Sequence, residues 1–276
     1  MRDRPLLDAR GLVKRYDGRA VVSNFAFHVH DGEIVGLLGR NGAGKTTTFR
    51  MTVGMIDADE GNVFFDGRDV TNLAMYKRAQ LGMGYLSQEP SVFQRLSVED
   101  NLLAILETMR DMDRRARLMK AQQLIEQFGL VQQRRQPART LSGGERRKLE
   151  IARALVTDPK LIMLDEPFSG VDPKAVEDLQ HEILRLKRDR GIAILLTDHN
   201  VRETLRVTDR SYIIHDGRKL AEGAPSDIVR NSAVRSAYLG SSFRGDEFDN
   251  ETRREGSRSI FKRAAPVANR VEPVRD

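Results

Sequence analysis

Gly39-Arg40-Asn41-Gly42-Ala43-Gly44-Lys45-Thr46 is the stretch on which the fold turns. Gly39, Gly44, Lys45 and Thr46 stand at the fixed positions of G-x-x-x-x-G-K-[ST], the spacing of a loop that wraps phosphate. Glu33-Ile34-Val35-Gly36-Leu37-Leu38 precedes it and reads as a buried strand, and a helix is expected from about Lys45. The plainer reading is a glycine-rich turn before an ordinary helix. The strand, and Lys-Thr in register, argue against it. Glycine lets backbone N–H groups close on an anion where a Cβ would block approach. The helix start adds partial positive charge. Lys45 is expected on the β- and γ-phosphates, and the Thr46 hydroxyl on Mg²⁺. Thr47 completes the expected cradle.

Outward from this loop, strand signals flank it. Phe25, Phe27 and Val29 alternate with Ala26, His28 and His30, and Asp31-Gly32 turns the chain into the loop-bearing strand. Asn62 to Phe65 and Gly82 to Leu86 are further strands, so the opening reads as a small antiparallel sheet on a nucleotide core. Ser97-Val98-Glu99-Asp100 resembles a capping box and predicts a helix to about Arg110. Leu118, Ala121, Ile125 and Phe128 predict a second helix ending at Gly129. Gln132 to Arg139 reads as a loop, and this middle block as a helical subdomain.

Leu161-Ile162-Met163-Leu164-Asp165-Glu166 is an apolar strand ending in two carboxylates. Such groups are costly to bury, so the strand end is expected to open on a site. Downstream of a phosphate loop, Asp165 is placed to hold Mg²⁺ and Glu166 to polarise the water that attacks the γ-phosphate. Asp172-Pro173 caps a helix with Val176, Leu179, Ile183 and Leu186 on one face, and Ile192 to Leu196 is another apolar strand. Tyr212 to Ile214 and Lys219 to Ala221 form a hairpin, with short helices from Ser226 and after Ala233. Strands alternating with helices imply a mainly parallel sheet covered on both faces.

Composition sets limits. The 276 residues include no cysteine, which excludes disulfides and thiol chemistry. No long apolar run or signal-peptide pattern is present, so no transmembrane helix is expected, and the lack of cysteine fits a cytosolic protein. A net charge of +6 suits an anionic partner, but the basic residues are spread out and nucleic acid is not favoured. Residues 244–276 mix charge, Ser, Pro and Gly with few large apolar residues, and are expected to be disordered and dispensable for hydrolysis.

Leu141-Ser142-Gly143-Gly144-Glu145 opens a further helix, and its serine and glycines form a second nest for an anion. Taken alone it is a capped helix. Lying between the phosphate loop and the Asp-Glu strand, it resembles the signature of ATP-binding-cassette (ABC) ATPases, and the resemblance runs from Leu6 to about Leu239. Other elements match in order: Tyr16 as the aromatic that stacks on adenine, Gln88 as the glutamine joining core to helical subdomain, Ser169-Gly170-Val171-Asp172 as the loop crossing a dimer interface, and His199 as the switch histidine at the γ-phosphate.

The resemblance implies an α/β fold: a P-loop NTPase (RecA-like) core at 5–240, an N-terminal antiparallel β subdomain, and an α-helical subdomain inserted at about 90–157. It implies ATP and Mg²⁺ as cofactors, with Gln88 as well as Thr46 and Asp165 at the metal, and Gln88 and His199 beside Glu166 in catalysis. It also implies a head-to-tail homodimer, each ATP lying between one subunit's phosphate loop and the other's Ser142-Gly143-Gly144. Pro90 to Asn101, Glu166 to Pro173 and Thr197 to Leu205 are similar to the ATPase subunits of lipopolysaccharide exporters. That similarity implies two transmembrane subunits docked near Phe93, on the cytoplasmic face of the inner membrane. Arg40 stands where that group usually has proline, and the tail beyond Phe243 is longer than its norm. The alternatives are the ATPase of a branched-chain amino-acid importer, a soluble ABC protein acting on DNA or ribosomes, and a nucleotide switch without turnover.

Overall fold

Two sheets carry the chain. The computed structural model describes residues 4–89, 91–109, 111–240, 243 and 248. In it β1 (Leu7–Tyr16), β2 (Arg19–Val29), β4 (Glu60–Phe65) and β5 (Arg68–Asp69) make an antiparallel sheet in the order β2-β1-β4-β5. Phe25, Phe27 and Val29 are buried and the residues between them are not, as the alternation predicts. The remaining strands form the second sheet: β3 (Ile34–Leu38), β6 (Met83–Leu86), β7 (Leu161–Asp165), β8 (Ala193–Asp198), β9 (Arg210–His215) and β10 (Arg218–Gly223). Their order is β10-β9-β3-β8-β7-β6, parallel throughout except for the β9–β10 hairpin.

Helices cover both faces, which is why β3, β7 and β8 are buried at every position. They are α1 (Lys45–Val53), α2 (Met75–Gln80), α3 (Val98–Leu106), α4 (Arg114–Gln127), α5 (Gly143–Ala154), α6 (Pro173–Arg190), α7 (Val201–Val207), α8 (Pro225–Arg230) and α9 (Ser232–Val234). A π-helical turn, Arg235–Leu239, follows α9. One apolar cluster joins α3 to α6 with one face of the parallel sheet, and another fills the space between α1 and the two sheets.

Three expectations need adjustment. The first helix of the middle block stops at Leu106, not near Arg110, which lies outside the described residues. The Thr108 hydroxyl donates to the Ile105 carbonyl at 2.7 Å and competes with the helix. Leu118 is 38% exposed, because it lies at the edge of the stripe that buries Ala121, Leu124 and Ile125. Most of 244–276, where disorder was expected, lies outside the described residues. Phe248, however, is buried: it stacks on Phe243 at 6.4 Å and joins Leu38, Leu205, Ile213 and Ile228 in a third cluster. A chain ending at Phe243 would lose that packing.

Candidate active site

The parallel strands end together, and their ends carry the polar groups. Such carboxyl ends are where open α/β sheets bind ligands. β3 runs into the phosphate loop, β7 ends at Asp165, and β8 ends at Asp198. The loop is drawn tight against β9 and β2. A Cβ on Gly39 would lie 2.3 Å from the Ile214 carbonyl, and one on Gly44 2.8 Å from that of Val21. Gly44 also has φ +105, in the left-handed region, and is the N-cap of α1 with no side-chain cap. The first-turn N–H groups of α1 are therefore free of a capping side chain and face the loop.

Lys45 is buried. Its Nζ donates to the carbonyls of Gly39 at 2.8 Å and Arg40 at 3.1 Å, within the loop's own arch. Burial lowers its pKa, opposed by Glu166, Asp198 and Asp165. Arg40 itself is exposed and contributes only that carbonyl. Asn41, Gly42, Gly44, Lys45, Thr46, Thr47, Gln88, Glu166 and His199 line one open cleft, joined by Val21 and Ser169. Ala43 is buried beneath it.

Glu166 sits at the centre. Its φ of 46° is unusual for a non-glycine residue and is held by its N–H donating to Thr197 O at 2.8 Å. Its carboxylate accepts from Gln88 Nε2 at 2.9 Å, and the His199 Nδ1 lies 3.4 Å away. The three residues that the resemblance paired in catalysis thus meet, although they come from three separate loops. Asp165, next to Glu166, is 3% exposed. Burial, reinforced by the charge of Glu166, pushes its pKa up to about 6. Its Oδ1 has no hydrogen-bond partner.

A buried, unpaired carboxylate oxygen suits a cation. Among the described residues no group of three or more His, Cys, Asp or Glu could hold one alone. A magnesium ion here would need phosphate oxygens as well, as it does in phosphoryl-transfer sites.

The sequence reading passed over Asp198. It is fully buried and accepts from Phe168 N at 2.9 Å and Asn200 N at 2.8 Å, tying the Glu166 loop to the His199 loop. Its pKa is raised by burial. The signal that found Asp165, an apolar strand ending in a carboxylate, is also present at Asp198.

Ser142, Gly143, Gly144 and Asp172 lie elsewhere. They line a second cleft between α5 and α6, with Arg147, Val171 and Leu179 among its walls, and no described residue lines both clefts. Ser142 caps α5 reciprocally with Glu145: Oγ accepts from Glu145 N at 3.3 Å, and Glu145 Oε2 accepts from Ser142 N at 2.8 Å. Asp172 caps α6, accepting from Ala175 N at 3.0 Å. Tyr16, at the β1–β2 turn, is 47% exposed and is not in the wall of the phosphate-loop cleft. One chain therefore does not bring all the expected nucleotide contacts to one place.

Phe93 is also 47% exposed. Its backbone is pinned at both ends by the buried Asn101, with Phe93 N donating to Oδ1 at 2.8 Å and Nδ2 donating to Phe93 O at 3.0 Å. The Arg153 guanidinium covers one side of the ring at 4.5 Å. Among the described residues no helix is long and apolar enough to cross a membrane.

An ABC transporter family model matches residues 22–169, a little over half of the chain. A model of the branched-chain amino acid ATP-binding cassette transporter matches residues 218–244. An uncharacterized ABC transporter ATP-binding protein of Rhizobium meliloti is 53% identical over 86% of this chain and 87% of its own length. The lipopolysaccharide export system ATP-binding protein LptB of Haemophilus influenzae is 50% identical over 87% of this chain and 99% of its own. LptB of Escherichia coli strain K12 is 50% identical over 86% and 98%. A solved nucleotide-free ATP-binding cassette from an ABC transporter superposes with a TM-score of 0.77 at 28% identity, covering 86% of this chain and 100% of that one.

Proposed function

The chain belongs to the ABC transporter ATPases, and from that premise we propose that two copies pair head to tail to power lipopolysaccharide export from the inner membrane. It hydrolyses ATP in work coupled to transport. The observation that carries the pairing is the split between the two clefts. The phosphate-loop cleft holds Lys45, Gln88, Glu166 and His199, whereas the Ser142–Gly144 nest lines another cleft that contains none of these four residues. A second copy turned about a two-fold axis brings its nest to the first copy's phosphate loop. Asp172 then lies at the seam.

In this reading Lys45 leaves the Gly39 and Arg40 carbonyls for the β- and γ-phosphates. Glu166 orients and polarises the attacking water, and His199 holds the γ-phosphate edge and the Glu166 carboxylate together. Thr46, Asp165 and Gln88 would hold magnesium, which supplies charge neutralisation at the phosphates. A Gln88 side chain that held the ion would no longer donate to the Glu166 carboxylate, which accepts from its Nε2 at 2.9 Å. Tyr16 reaches the adenine from the β1–β2 turn.

The lipopolysaccharide cargo is supported by the LptB relatives, matched at 50% identity over nearly their whole length. Phe93, half exposed on a backbone pinned by Asn101, suits a groove for a short cytoplasmic helix of each of two membrane subunits. The branched-chain amino-acid importer stays as a second reading because its family model matches residues 218–244. Co-purification from detergent-solubilised inner membranes separates the two. Exporter subunits with bound lipopolysaccharide are expected. Recovery of an amino-acid permease would overturn the cargo assignment, and a Phe93→Ala chain that is stable and still fully assembled would overturn the docking site.

A further inference from the structure

His199 is held by its backbone more than by its ring. The side chain is 52% exposed, and Nδ1 lies 3.4 Å from Glu166 Oε2 and 3.5 Å from Asp198 Oδ1, beyond ordinary hydrogen-bond length. Where the imidazole sits therefore depends on the residues on either side. Before it, Asp198 ends β8 fully buried, and its carboxylate is fixed by the amides of Phe168 and Asn200. After it, Asn200 opens α7, and its Oδ1 accepts from Glu203 N at 3.4 Å, a long cap. α7 has seven residues, too few to be stable without tertiary support.

Part of that support is Gln180. It lies on α6 among Val176, Leu179, Ile183 and Leu186 and is 7% exposed, although its side chain is an amide. A buried amide is costly unless it is hydrogen-bonded. Gln180 Nε2 donates to Glu203 O at 3.1 Å and to Glu203 Oε2 at 2.7 Å. One side chain thus grips both the backbone and the carboxylate in the first turn of α7. The Glu203 carboxylate also accepts from Arg206 Nη1 at 3.0 Å. Thr204, Leu205 and Val207 are buried beneath α7. Apolar burial holds the helix on the molecule but is non-directional. The two Gln180 bonds are directional and fix its first turn against α6.

We propose that Gln180 is a positioning residue for His199: by fixing the first turn of α7 against α6, it sets where the chain leaving β8 can hold the imidazole beside Glu166. The assignment rests on the reading above that His199 serves hydrolysis at the γ-phosphate. Gln180 does not line the phosphate-loop cleft. It touches no nucleotide in this scheme and acts only through His199.

The test is steady-state hydrolysis by the full chain, read with ATP affinity and melting temperature. Gln180→Leu keeps the bulk and removes the amide. Its kcat is expected to fall about ten- to a hundredfold, as for a catalytic group displaced by about 1 Å, with ATP affinity unchanged. Gln180→Lys keeps a donor for Glu203 and is expected to retain the parental kcat. Gln180→Glu sets a second carboxylate against that of Glu203 and is expected to lose more than Gln180→Leu. The leucine change is then made in a His199→Ala chain and read by single-turnover hydrolysis. A residue that acts only through His199 has nothing left to position there, so no further loss is expected. Parental kcat in Gln180→Leu overturns the assignment. So does a loss that only follows the folded fraction, one that adds in full to that of His199→Ala, or a Gln180→Lys chain as impaired as Gln180→Leu. Should Gln180→Leu not fold, Glu203→Leu loosens the same grip from α7 and is read in the same two backgrounds. His199→Ala by itself separates the two layers. If it keeps the parental kcat, the reading of His199 fails and takes Gln180 with it; if it loses kcat while Gln180→Leu does not, the Gln180 assignment alone fails.

Discussion

The phosphate loop and the signature nest are both glycine-bearing helix starts that can receive an anion, yet their surroundings differ. Around the N-terminus of α1 stand a buried ammonium, two carboxylates, a glutamine and a histidine. Around that of α5 stand the reciprocal Ser142–Glu145 cap and the second capped helix at Asp172. The first start lies where three parallel strands end, so groups distant in sequence converge on it. The second is carried on a helix outside the sheet. On the proposed reading, anion binding is a property of the helix end, and catalysis a property of the strand ends beside it.

The sharpest way to break this comparison is at Glu166. Glu166→Gln is expected to bind ATP with little change and to lose about 10²–10⁴-fold in kcat, the usual worth of a general base. Steady-state hydrolysis alongside nucleotide binding checks it, and near-parental turnover would return Glu166 to the status of a strained loop residue. Ser142→Arg acts on the other side. It is expected to abolish hydrolysis while the single chain still binds ATP, whereas Lys45→Ala weakens binding itself. Mixing those two inactive chains rebuilds one intact composite site, so activity above that of either alone is expected; no recovery would mean each site is completed within one chain.

Smaller effects test what supports each region. Phe248 packs with Leu38, the residue just before the phosphate loop. Phe248→Ala is expected to destabilise the fold by roughly 3–4 kcal/mol in urea titration, as for a buried Phe→Ala. A change under half of that would show the tail contact to be incidental.

Asp165 gives a pH signature without nucleotide or metal. Its folded pKa is raised from 3.8 to about 6, so the folded state favours the protonated form. That contribution is present below about pH 4 and lost as pH rises through 6. Asp165→Asn is therefore expected to stabilise the chain by roughly 2–3 kcal/mol at pH 8 and by almost nothing at pH 4. A pH-independent difference between the two melting curves would remove the buried-charge argument. The smallest effect belongs to the nest: Ser142→Ala deletes one cap and is expected to cost about 1 kcal/mol of stability, measured the same way.

Much of this was legible before any coordinates. The loop Gly39–Thr46, the strand ending at Asp165-Glu166 and the cap at Asp172 are local patterns, written in adjacent residues, and the structure has them in place. Leu118 misled because periodicity locates a stripe but not its edge. Gln180 gave no signal, since a polar residue on a helix ordinarily reads as part of a solvated face, and only packing buries it. Phe248 was lost among charged neighbours for the same reason.

By itself the sequence determined most of the strands and helices, though not β5 or α2, together with the glycine-bearing helix starts and the chemical types at the strand ends. These follow from hydrogen bonding, chain stiffness and apolar spacing over a few residues, which neighbours in the chain control. The tertiary structure alone decided that Gln88, Glu166 and His199 meet, that Asp198 ties the Glu166 and His199 loops together, and that the nest of α5 lines a separate cleft. Those are relations across up to 111 positions, such as Gln88 to His199, and they depend on how the β6-β7-β8-β3 order brings strand ends side by side. No local pattern encodes that order, because it is set by which apolar faces pack against one another when the whole chain closes.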